Sequence, residues 1–539
     1  MWTSTLEISL KRVVPMQILG RFWPGAYFSS LAPLQVRNVP RQPLGNHQGN
    51  WVRVHNRLAG ICGSDLHLVF AQGDLRIAPA ALPAHAGHSF PGHEVVGEVI
   101  EIGDQVQNLQ VGDRVVLQSG ENCLSAGVQP PCNACATGNY SLCSGGNLPG
   151  PRQFGGGWSE EMLVHEQQLF RIPAEMEDEQ AVLLEPTAVA VHAVLRRLPR
   201  AGEKVLIIGA GTIGLLILQV VRALAPQAEV TMMVRHGFQI EKASQMGAAH
   251  VLYNKDNYAT IEKETGAKLY HGMLGNRMLL GGYDVIFDSV GSRQTTHDGL
   301  RWARAGGTVV MVGVNLHLMK LDLSPIWYQE INLIGSMAHG MEEWPANSGN
   351  HRSTFAIASD LITNQLLHPE RLITHRCALN NYREALQLAS DKKKSGAIKV
   401  VFDDSLLSAS AVSVPSSTSR ARLPRLAFNA DQQQPVASGA GASTQSSQPA
   451  RTPASQQAPS TGPSHFTMSQ SEDFTADFDN TQFIAPKPQR PPTPLLFRNS
   501  GTLPETPQPI GPGSATNPVA ETLQKSGGSD GDSMSYPSE

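Results

Sequence analysis

The sequence predicts an α/β protein with two folded parts and a disordered tail. Up to about residue 190, Gly and Pro interrupt short apolar runs such as WVRVHNRLAGI and EVVGEVIEIG, which is typical of a domain rich in strands and loops. From Glu203, apolar strands alternate with helices, which predicts a doubly wound parallel sheet with helices on both faces. From Asp404, Ser, Pro, Gln, Ala, Thr and Gly dominate, and such a segment cannot bury enough apolar surface to offset its chain entropy.

The order of the elements sets the predicted domain boundaries. The first domain contains the strands WVRVHNRLAGI, EVVGEVIEIG and DRVVLQ and no long helical period. The parallel-sheet domain contains KVLIIG, IGLLILQVVRAL, EVTMMV, YDVIFDSV and TVVMVGV. After Ile334 we expect a helix from Phe355 to Asn364 and a closing strand, IKVVFD. We therefore predict a first domain at 1–190 that is completed by 340–403, a second domain at 191–339, and a disordered tail at 404–539.

Length, charge and hydropathy exclude several classes of protein. A chain of 539 residues is too long for one core, since single cores stop growing at about 250–300 residues. The formal net charge of −4 provides no basic field for nucleic acid or for an anionic membrane. The sequence contains neither an apolar run long enough to span a membrane nor a secretory signal. We expect a cytoplasmic protein that binds a small molecule, and neither nucleic acid nor a membrane.

A glycine-rich loop follows the first strand of the predicted parallel sheet. Gly209, Gly211 and Gly214 stand in GAGTIG, between the strand KVLII and an apolar helix. In this context the pattern predicts a Rossmann dinucleotide site, with one glycine for the turn, one for the pyrophosphate and one for close packing. Thr212 and Ile213 lie in the same loop, where the helix N-terminus favours phosphate.

The end of the second strand bears on the choice between NAD and NADP. An NAD site usually has an acidic residue there, but EVTMMVRHG ends in Arg235 and His236. Because an arginine can pair with a 2′-phosphate that a carboxylate would repel, we favour NADP over NAD. Val290 and Val312, at the ends of two later strands, are further candidate cofactor contacts.

Three separate stretches together predict a catalytic zinc site. They place Cys62 in GICGSDLH, His93 in PGHEVVGEVIEIG and Glu185 in LLEPTAVAVHA. A thiolate, an imidazole and a carboxylate can hold Zn²⁺ with one position open for water or substrate. Each residue alone is more simply a buried cysteine, a loop histidine or a helix-start glutamate. Their joint occurrence ahead of the dinucleotide loop favours the metal.

The other cysteines include a second candidate metal site. Four of the six lie within one short segment: Cys123, Cys132, Cys135 and Cys143. In a chain without a secretory signal, such a cluster favours metal binding over disulfides. Cys377 stands alone and is interpreted as a small buried hydrophobic residue. We interpret His85 and His88, which precede His93, as loop residues.

These motifs together resemble the zinc-containing medium-chain dehydrogenase/reductase superfamily, which includes alcohol, sorbitol, glucose and threonine dehydrogenases. The resemblance covers about residues 30–403, through GxCGSDxH at 60–67, GHExxGxxxxxG at 92–103, VGDRV at 111–115, EPxAVAxHA at 185–193, the glycine loop and DSVG at 288–291. It implies a GroES-like β-barrel catalytic domain beside a Rossmann domain. It also implies a homodimer or homotetramer.

The resemblance implies a role for each residue that matches. Cys62 and His93 would bind zinc, Glu94 would be a nearby or exchanging ligand, and Asp65 would orient the imidazole. Glu185 replaces the cysteine of alcohol dehydrogenase, as in the polyol and threonine dehydrogenases, and would bind zinc directly or through water.

The remaining implied roles concern proton transfer and the cysteine segment. Ser64 would contact the substrate alcohol, and His67 would pass its proton onward. The cysteine segment resembles the structural zinc lobe, C-x2-C-x2-C-x7-C, but its first ligand position falls on Gln129. Cys123 could complete a second, structural zinc site; otherwise the lobe would be three-coordinate, weakly metallated or empty.

We therefore predict a zinc-dependent oxidoreductase that transfers a hydride between an alcohol or polyol and NADP or NAD. Two alternatives remain open. One is a zinc-free quinone or enoyl reductase of the same superfamily, which would have no use for Cys62 with His93 and Glu94. The other is a catalytically silent dinucleotide-binding protein that acts through its tail.

Overall fold

The computed structural model describes residues 2–45, 48–72, 88–145, 148, 152–253, 255–346 and 348–407. Residue contacts divide the chain into Met1–Pro424 and Arg425–Glu539, and the second unit lies wholly outside the described residues. The predicted disordered tail also lies outside them from residue 408 onward, as does His85.

The mainly antiparallel part of the fold contains two sheets, with one parallel pair of strands, β19 and β20. The smaller has the order β2-β1-β4 and comprises β1 (Trp2–Ser9), β2 (Leu34–Pro40) and β4 (His88–Ser89). The larger has the order β19-β20-β3-β5-β6-β8, with β7 paired to β3. Its strands are β3 (Trp51–Gly60), β5 (Val95–Ile102), β6 (Arg114–Leu117), β7 (Glu161–His165), β8 (Leu169–Arg171), β19 (Ile373–Cys377) and β20 (Lys399–Asp403). The late strand β20 pairs with β3, opposite Gly60, and so returns the chain to the first sheet.

The parallel sheet has the order β11-β10-β9-β14-β15-β16. Its strands are β9 (Lys204–Ile208), β10 (Glu229–Met233), β11 (His250–Leu252), β14 (Tyr283–Asp288), β15 (Ala303–Met311) and β16 (Asn332–Gly335). Their apolar runs are nearly continuous because helices cover both faces. The strand order reverses between β9 and β14, and ligands of such sheets bind at that reversal.

Two hairpins lie outside these sheets and were not predicted. They are β12 (Lys268–His271) with β13 (Arg277–Leu280), and β17 (Met341–Glu343) with β18 (His351–Ser353).

The helices connect and cover the sheets. They are α1 (Leu10–Phe22), α2 (Gly63–Val69), α3 (Asn133–Ala136), α4 (Asp178–Ala181), α5 (Leu184–Arg196), α6 (Thr212–Leu224), α7 (Phe238–Gln245), α8 (Tyr258–Thr265), α9 (Arg293–Trp302), α10 (Ser324–Tyr328), α11 (Thr354–Thr363), α12 (Tyr382–Ser390) and α13 (Lys392–Ser395). The helix predicted at 355–364 corresponds to α11. No helix of the described residues combines the length and apolar character needed to cross a membrane.

One apolar core extends across both sheet systems. It contains Val191 of α5 and Leu215 of α6 together with Leu58 of β3 and Val96 of β5. Each fully buried side chain of this size contributes roughly 1.5–3 kcal/mol relative to an exposed one. The core therefore joins the parallel sheet to the antiparallel sheets and holds the glycine loop beside them.

The first domain contains one helix, α1, that the apolar pattern of the sequence does not predict. This helix lies between β1 and β2, with Val13 and Met16 buried. Its opposite side exposes Val14, Ile18 and Phe22, so apolar residues occur on both faces and produce no amphipathic pattern. A helix with apolar residues on both faces cannot be recognised by periodicity.

Candidate active site

The N-terminus of α2 connects two of the predicted site residues. The backbone N–H of Cys62 donates to Asp65 Oδ2 at 3.2 Å, and that of Gly92 donates to Asp65 Oδ1 at 3.1 Å. Asp65 Oδ1 also lies 3.4 Å from His93 Nδ1. Burial opposes ionisation of Asp65, but the charge of His93 and these N–H groups lower its pKa. The buried carboxylate thus fixes the imidazole orientation.

Cys62, His93 and Glu94 converge on one point. The thiol sulfur, an imidazole nitrogen and a carboxylate oxygen all lie within 4.8 Å of one another. Burial opposes protonation of His93, but Asp65 and Cys62 raise its pKa well above its ordinary value. The site therefore favours a positive charge. A thiolate, an imidazole and a carboxylate at this spacing fit Zn²⁺.

Glu185 lies near this cluster but is not one of its three converging residues. It occupies the first turn of α5 and is 9% exposed. Burial raises its pKa to about 7, helped by the charge of Glu94 and opposed by His93 and Lys399. Glu185 and His93 line a common cavity of about 340 Å³.

Lys399 is a functional candidate that the sequence interpretation missed. Its Nζ forms an ion pair with Glu94, and the two side chains are 2% and 1% exposed. Nζ also donates to the carbonyl of Ile61 at 3.3 Å. Burial disfavours the ammonium form, but Glu94 and Cys62 hold the pKa of Lys399 above its ordinary value. A lysine opening the otherwise buried strand KVVFD was the available signal, because a buried charge requires a partner.

Ser64 and His67 lie three residues apart on α2, which places them on one side of the helix. His67 Nδ1 lies 3.0 Å from Gln72 Oε1, and burial lowers the pKa of His67. In the described part of the chain, no hydrogen bond joins His67 to Ser64. The fold thus places the two predicted proton-transfer residues near the metal donors without linking them directly.

The four clustered cysteines also converge. Their sulfur atoms lie within 4.8 Å of one another, with Cys123 and Cys135 buried. The Cys123 and Cys143 sulfurs are 3.7 Å apart. Backbone N–H groups of Ser144 and Cys135 lower the pKa of Cys132 to about 5, which favours the thiolate form that binds metals.

A tight turn explains how Cys123 reaches this cluster. Asn122 Oδ1 accepts from the N–H of Leu124 at 2.9 Å and from that of Ser125 at 3.3 Å. The N–H of Asn122 in turn donates to Ser125 Oγ at 2.9 Å. Asparagine commonly stabilises turns of this kind. The turn directs the Cys123 side chain towards the other three sulfur atoms. Cys123 thus takes the ligand position that the spacing pattern assigns to Gln129.

The glycine loop has the predicted conformation. Gly209 has a φ of +98°, which favours glycine, and a Cβ atom at Gly214 would overlap the carbonyl of Gly209. Gly211 precedes α6 as its N-cap. Thr212 Oγ1 donates to the carbonyl of Ile398 at 3.1 Å, which joins the loop to the segment before β20.

A cleft of about 330 Å³ contains most predicted cofactor residues. Its walls include all of Gly209–Gly214, together with Arg235, His236, Val290, Cys62, Glu94 and Lys399. Val312 is not among its lining residues and instead packs against the core. At the end of β10, Gln239 Oε1 accepts from the N–H groups of Arg235 and His236 at 3.1 and 3.0 Å.

Comparison with known proteins identifies the class. Family models described as "Alcohol dehydrogenase GroES-like domain" and "Zinc-binding dehydrogenase" match residues 48–174 and 212–349. Sorbitol dehydrogenase of Arabidopsis thaliana is 27% identical over 378 residues, which cover 70% of this chain and 94% of that protein. D-arabinitol dehydrogenase 1 of Uromyces fabae is 28% identical over 353 residues, 65% of this chain and 89% of that protein. The crystal structure of galactitol-1-phosphate dehydrogenase from Escherichia coli matches with a TM-score of 0.53 and 26% identity, covering 68% of this chain and 97% of that one.

The predicted fold class, a GroES-like domain beside a Rossmann domain, is confirmed, and the protein is an oxidoreductase. The two family models and these relatives support assignment of the chain to the zinc-containing medium-chain dehydrogenase/reductase superfamily.

Proposed function

We propose that the protein is a zinc-dependent oxidoreductase that transfers a hydride between an alcohol or polyol and a nicotinamide cofactor, with NADP favoured over NAD. One observation carries the proposal: the metal donors Cys62 and Glu94 line the same cleft as the glycine loop Gly209–Gly214. A substrate carbon can therefore be held between the two.

Five residues would form the metal site. Cys62 and His93 would hold zinc together with Glu94, and Asp65 would keep the imidazole in its binding orientation. Glu185 would contribute directly or through water. Bound zinc would lower the pKa of an alcohol hydroxyl, and a bound nicotinamide would accept the hydride.

Ser64 and His67 would handle the proton of the substrate. Ser64 Oγ would accept the hydroxyl proton, and His67 would pass it towards solvent. Burial lowers the pKa of His67 and so favours the neutral ring, which is able to take up a proton.

The second cavity, which His93 and Glu185 line, supports a polyol as the substrate. Its wall also contains Gln118, Ser119 and His339, whose polar groups suit a substrate with several hydroxyl groups. The relatives named sorbitol dehydrogenase and D-arabinitol dehydrogenase support a polyol.

The four cysteines would bind a second, structural zinc, for which a closed set of four thiolates is suited. The domain boundaries would be 1–190 with 340–403, and 191–339. The protein would form a homodimer or homotetramer.

The test is zinc content per chain, measured with NADH and NADPH binding in one preparation. We expect two zinc ions, and tighter binding of NADPH. Cys62→Ser and His93→Ala should each remove one zinc and abolish turnover, whereas Cys377→Ala, at a buried cysteine outside both clusters, should change neither. Full activity in both site variants would refute the assigned metal site.

A further inference from the structure

The cofactor cleft receives positive charge from two separate parts of the chain. Arg235 and His236 follow β10 of the parallel sheet. Lys392 and Lys393 lie in α13, which leads into β20 of the antiparallel sheet. Arg235, His236 and Lys392 all line the cleft that contains the glycine loop. Cationic groups thus enter one site from both sheet systems.

Most of this charge has no carboxylate partner among the residues that the structure describes. Asp391, the acid next to α13, pairs with Lys394 at 2.8 Å, and Glu94 pairs with Lys399. Within the residues that the structure describes, Arg235, Lys392 and Lys393 form no ion pair with any carboxylate. Unpaired cations gathered in a cleft indicate an anionic ligand.

These groups also lie close enough to influence one another. Burial lowers the pKa of His236, and the charges of Arg235, Lys392 and Lys393 lower it further, opposed by Asp391. Burial likewise lowers the pKa of Lys392, as does the charge of Lys399, opposed by the charges of Cys62 and Glu94. An anion between these groups would relieve their mutual repulsion.

The position of the cluster points to one phosphate of the cofactor. In Rossmann domains the end of the second strand faces the adenosine ribose, where NAD presents a 2′-hydroxyl and NADP a 2′-phosphate. Here that place is held by Arg235 and His236, whose backbone N–H groups are fixed by Gln239. Gln239 Nε2 also donates to the carbonyl of Ala210 at 2.9 Å, which ties this corner to the glycine loop.

We propose that Lys392 and Lys393 complete, with Arg235, a binding site for the 2′-phosphate of NADP, so that this phosphate joins the Rossmann sheet to the C-terminal segment of the catalytic domain. The inference rests on the proposed nicotinamide function. It goes further by assigning phosphate ligands to the C-terminal segment of the catalytic domain.

Calorimetric titration of the full chain tests the site without measuring turnover. The titrants are NADPH and NADH, and the fragments 2′,5′-ADP and 5′-AMP. In a Lys392→Met/Lys393→Met double variant we expect NADPH and 2′,5′-ADP to bind about tenfold more weakly or worse, because charge-assisted phosphate contacts are lost. NADH and 5′-AMP should change by less than about twofold. Lys394→Met, with the same charge change on the same helix, should resemble the parent, because Lys394 is paired with Asp391.

The outcomes separate this inference from the proposed function. Equal losses for NADPH and NADH would show that the lysines contact the shared diphosphate, and no loss would show that they contact no phosphate; either overturns the inference. A parent chain that binds NADH but not NADPH would overturn it while leaving the oxidoreductase proposal intact. A parent that binds neither dinucleotide would overturn both.

A double-mutant cycle tests whether one phosphate is shared. Arg235→Met and Lys392→Met should be non-additive for NADPH, since both contact the same group, and additive for NADH. Additive losses with NADPH would refute the shared site. Unchanged zinc content and melting temperature in each variant would establish that the variants are folded.

Discussion

The Lys399 ammonium and the Glu94 carboxylate form a buried ion pair beside the metal donors. Removing two charges from water is costly, and their attraction offsets that cost only while both are present. Glu94 is therefore compensated by the protein even without a metal. The donor cluster can keep its arrangement because no member depends on zinc for its only counter-charge.

This pair predicts a large effect on stability. Lys399→Met in the zinc-stripped protein should lower the free energy of unfolding by about 3–5 kcal/mol, because it leaves the Glu94 carboxylate buried and unpaired. Urea denaturation measures the change. Lys394→Met, at an exposed ion pair, is the control and should leave the midpoint unchanged. Adding Glu94→Gln to Lys399→Met should restore much of the loss; no recovery would mean that the charge is not the cause.

Arg235 predicts a change of cofactor preference. Arg235→Asp should lower the ratio of NADPH to NADH affinity by about tenfold or more, because the carboxylate repels a 2′-phosphate and accepts a hydrogen bond from a 2′-hydroxyl. Titration with both dinucleotides measures the ratio. Lys255→Asp, an exposed site of the same domain outside the cleft, supplies the control. An unchanged ratio would contradict the role of Arg235.

Among the local elements of the fold, the cysteine lobe depends on one turn at Asn122. Fixed spacing places the first ligand at Gln129, whereas the turn holds Cys123 beside the other three sulfurs. The sequence predicted three positions by spacing and left the fourth open, because spacing along a chain does not determine the direction in which a turn sends a side chain.

The lobe predicts a defined change in metal content. Cys123→Ser should reduce zinc by one ion per chain and lower the melting temperature, because a three-thiolate site binds structural zinc less tightly. Elemental analysis measures the first and calorimetry the second. Cys377→Ala should retain the parent zinc content, because Cys377 packs in an apolar cluster. Full zinc in Cys123→Ser would exclude Cys123 as a ligand.

Other elements show why some local structure could be predicted and some could not. The glycine loop was predictable, because its strand, glycines and helix occur in order and depend only on neighbouring residues. Helix α1 and the β12–β13 hairpin were not, since α1 has apolar residues on two faces and Tyr270 and Leu280 of the hairpin are exposed. The conformation of both is set by their surroundings rather than by a periodic pattern.

In the molecule as a whole, the candidate active site is assembled from distant parts of the sequence. Cys62, Glu94 and Lys399 meet because β20 pairs with β3. The order of apolar runs predicted that the chain returns to the first domain, but not that the returning strand brings a lysine to Glu94. Strand partners follow from long-range packing, which one sequence does not display.

The pairing of β20 with β3 allows us to predict where the chain can be shortened. A chain ending at Leu407 should retain zinc and bind NADPH within about twofold of the parent, since residues beyond 407 have the composition of an unfolded segment. A chain ending at Ile398 lacks β20 and Lys399, and we expect it not to fold. Circular dichroism and calorimetric titration of both chains measure this. Loss of binding in the longer chain would mean that the tail contributes to the site.

The turn before Cys123 also has a consequence for recognising such proteins in genomes. A search pattern that demands fixed intervals between the four cysteines rejects this chain, although its sulfur atoms meet within 4.8 Å. A ligand displaced by six positions can be recovered when an Asn-X-X-Ser turn redirects the backbone. Patterns that allow one ligand to shift next to such a turn would therefore retrieve metal lobes that rigid templates discard, and chains dismissed as having lost a structural metal merit a second inspection.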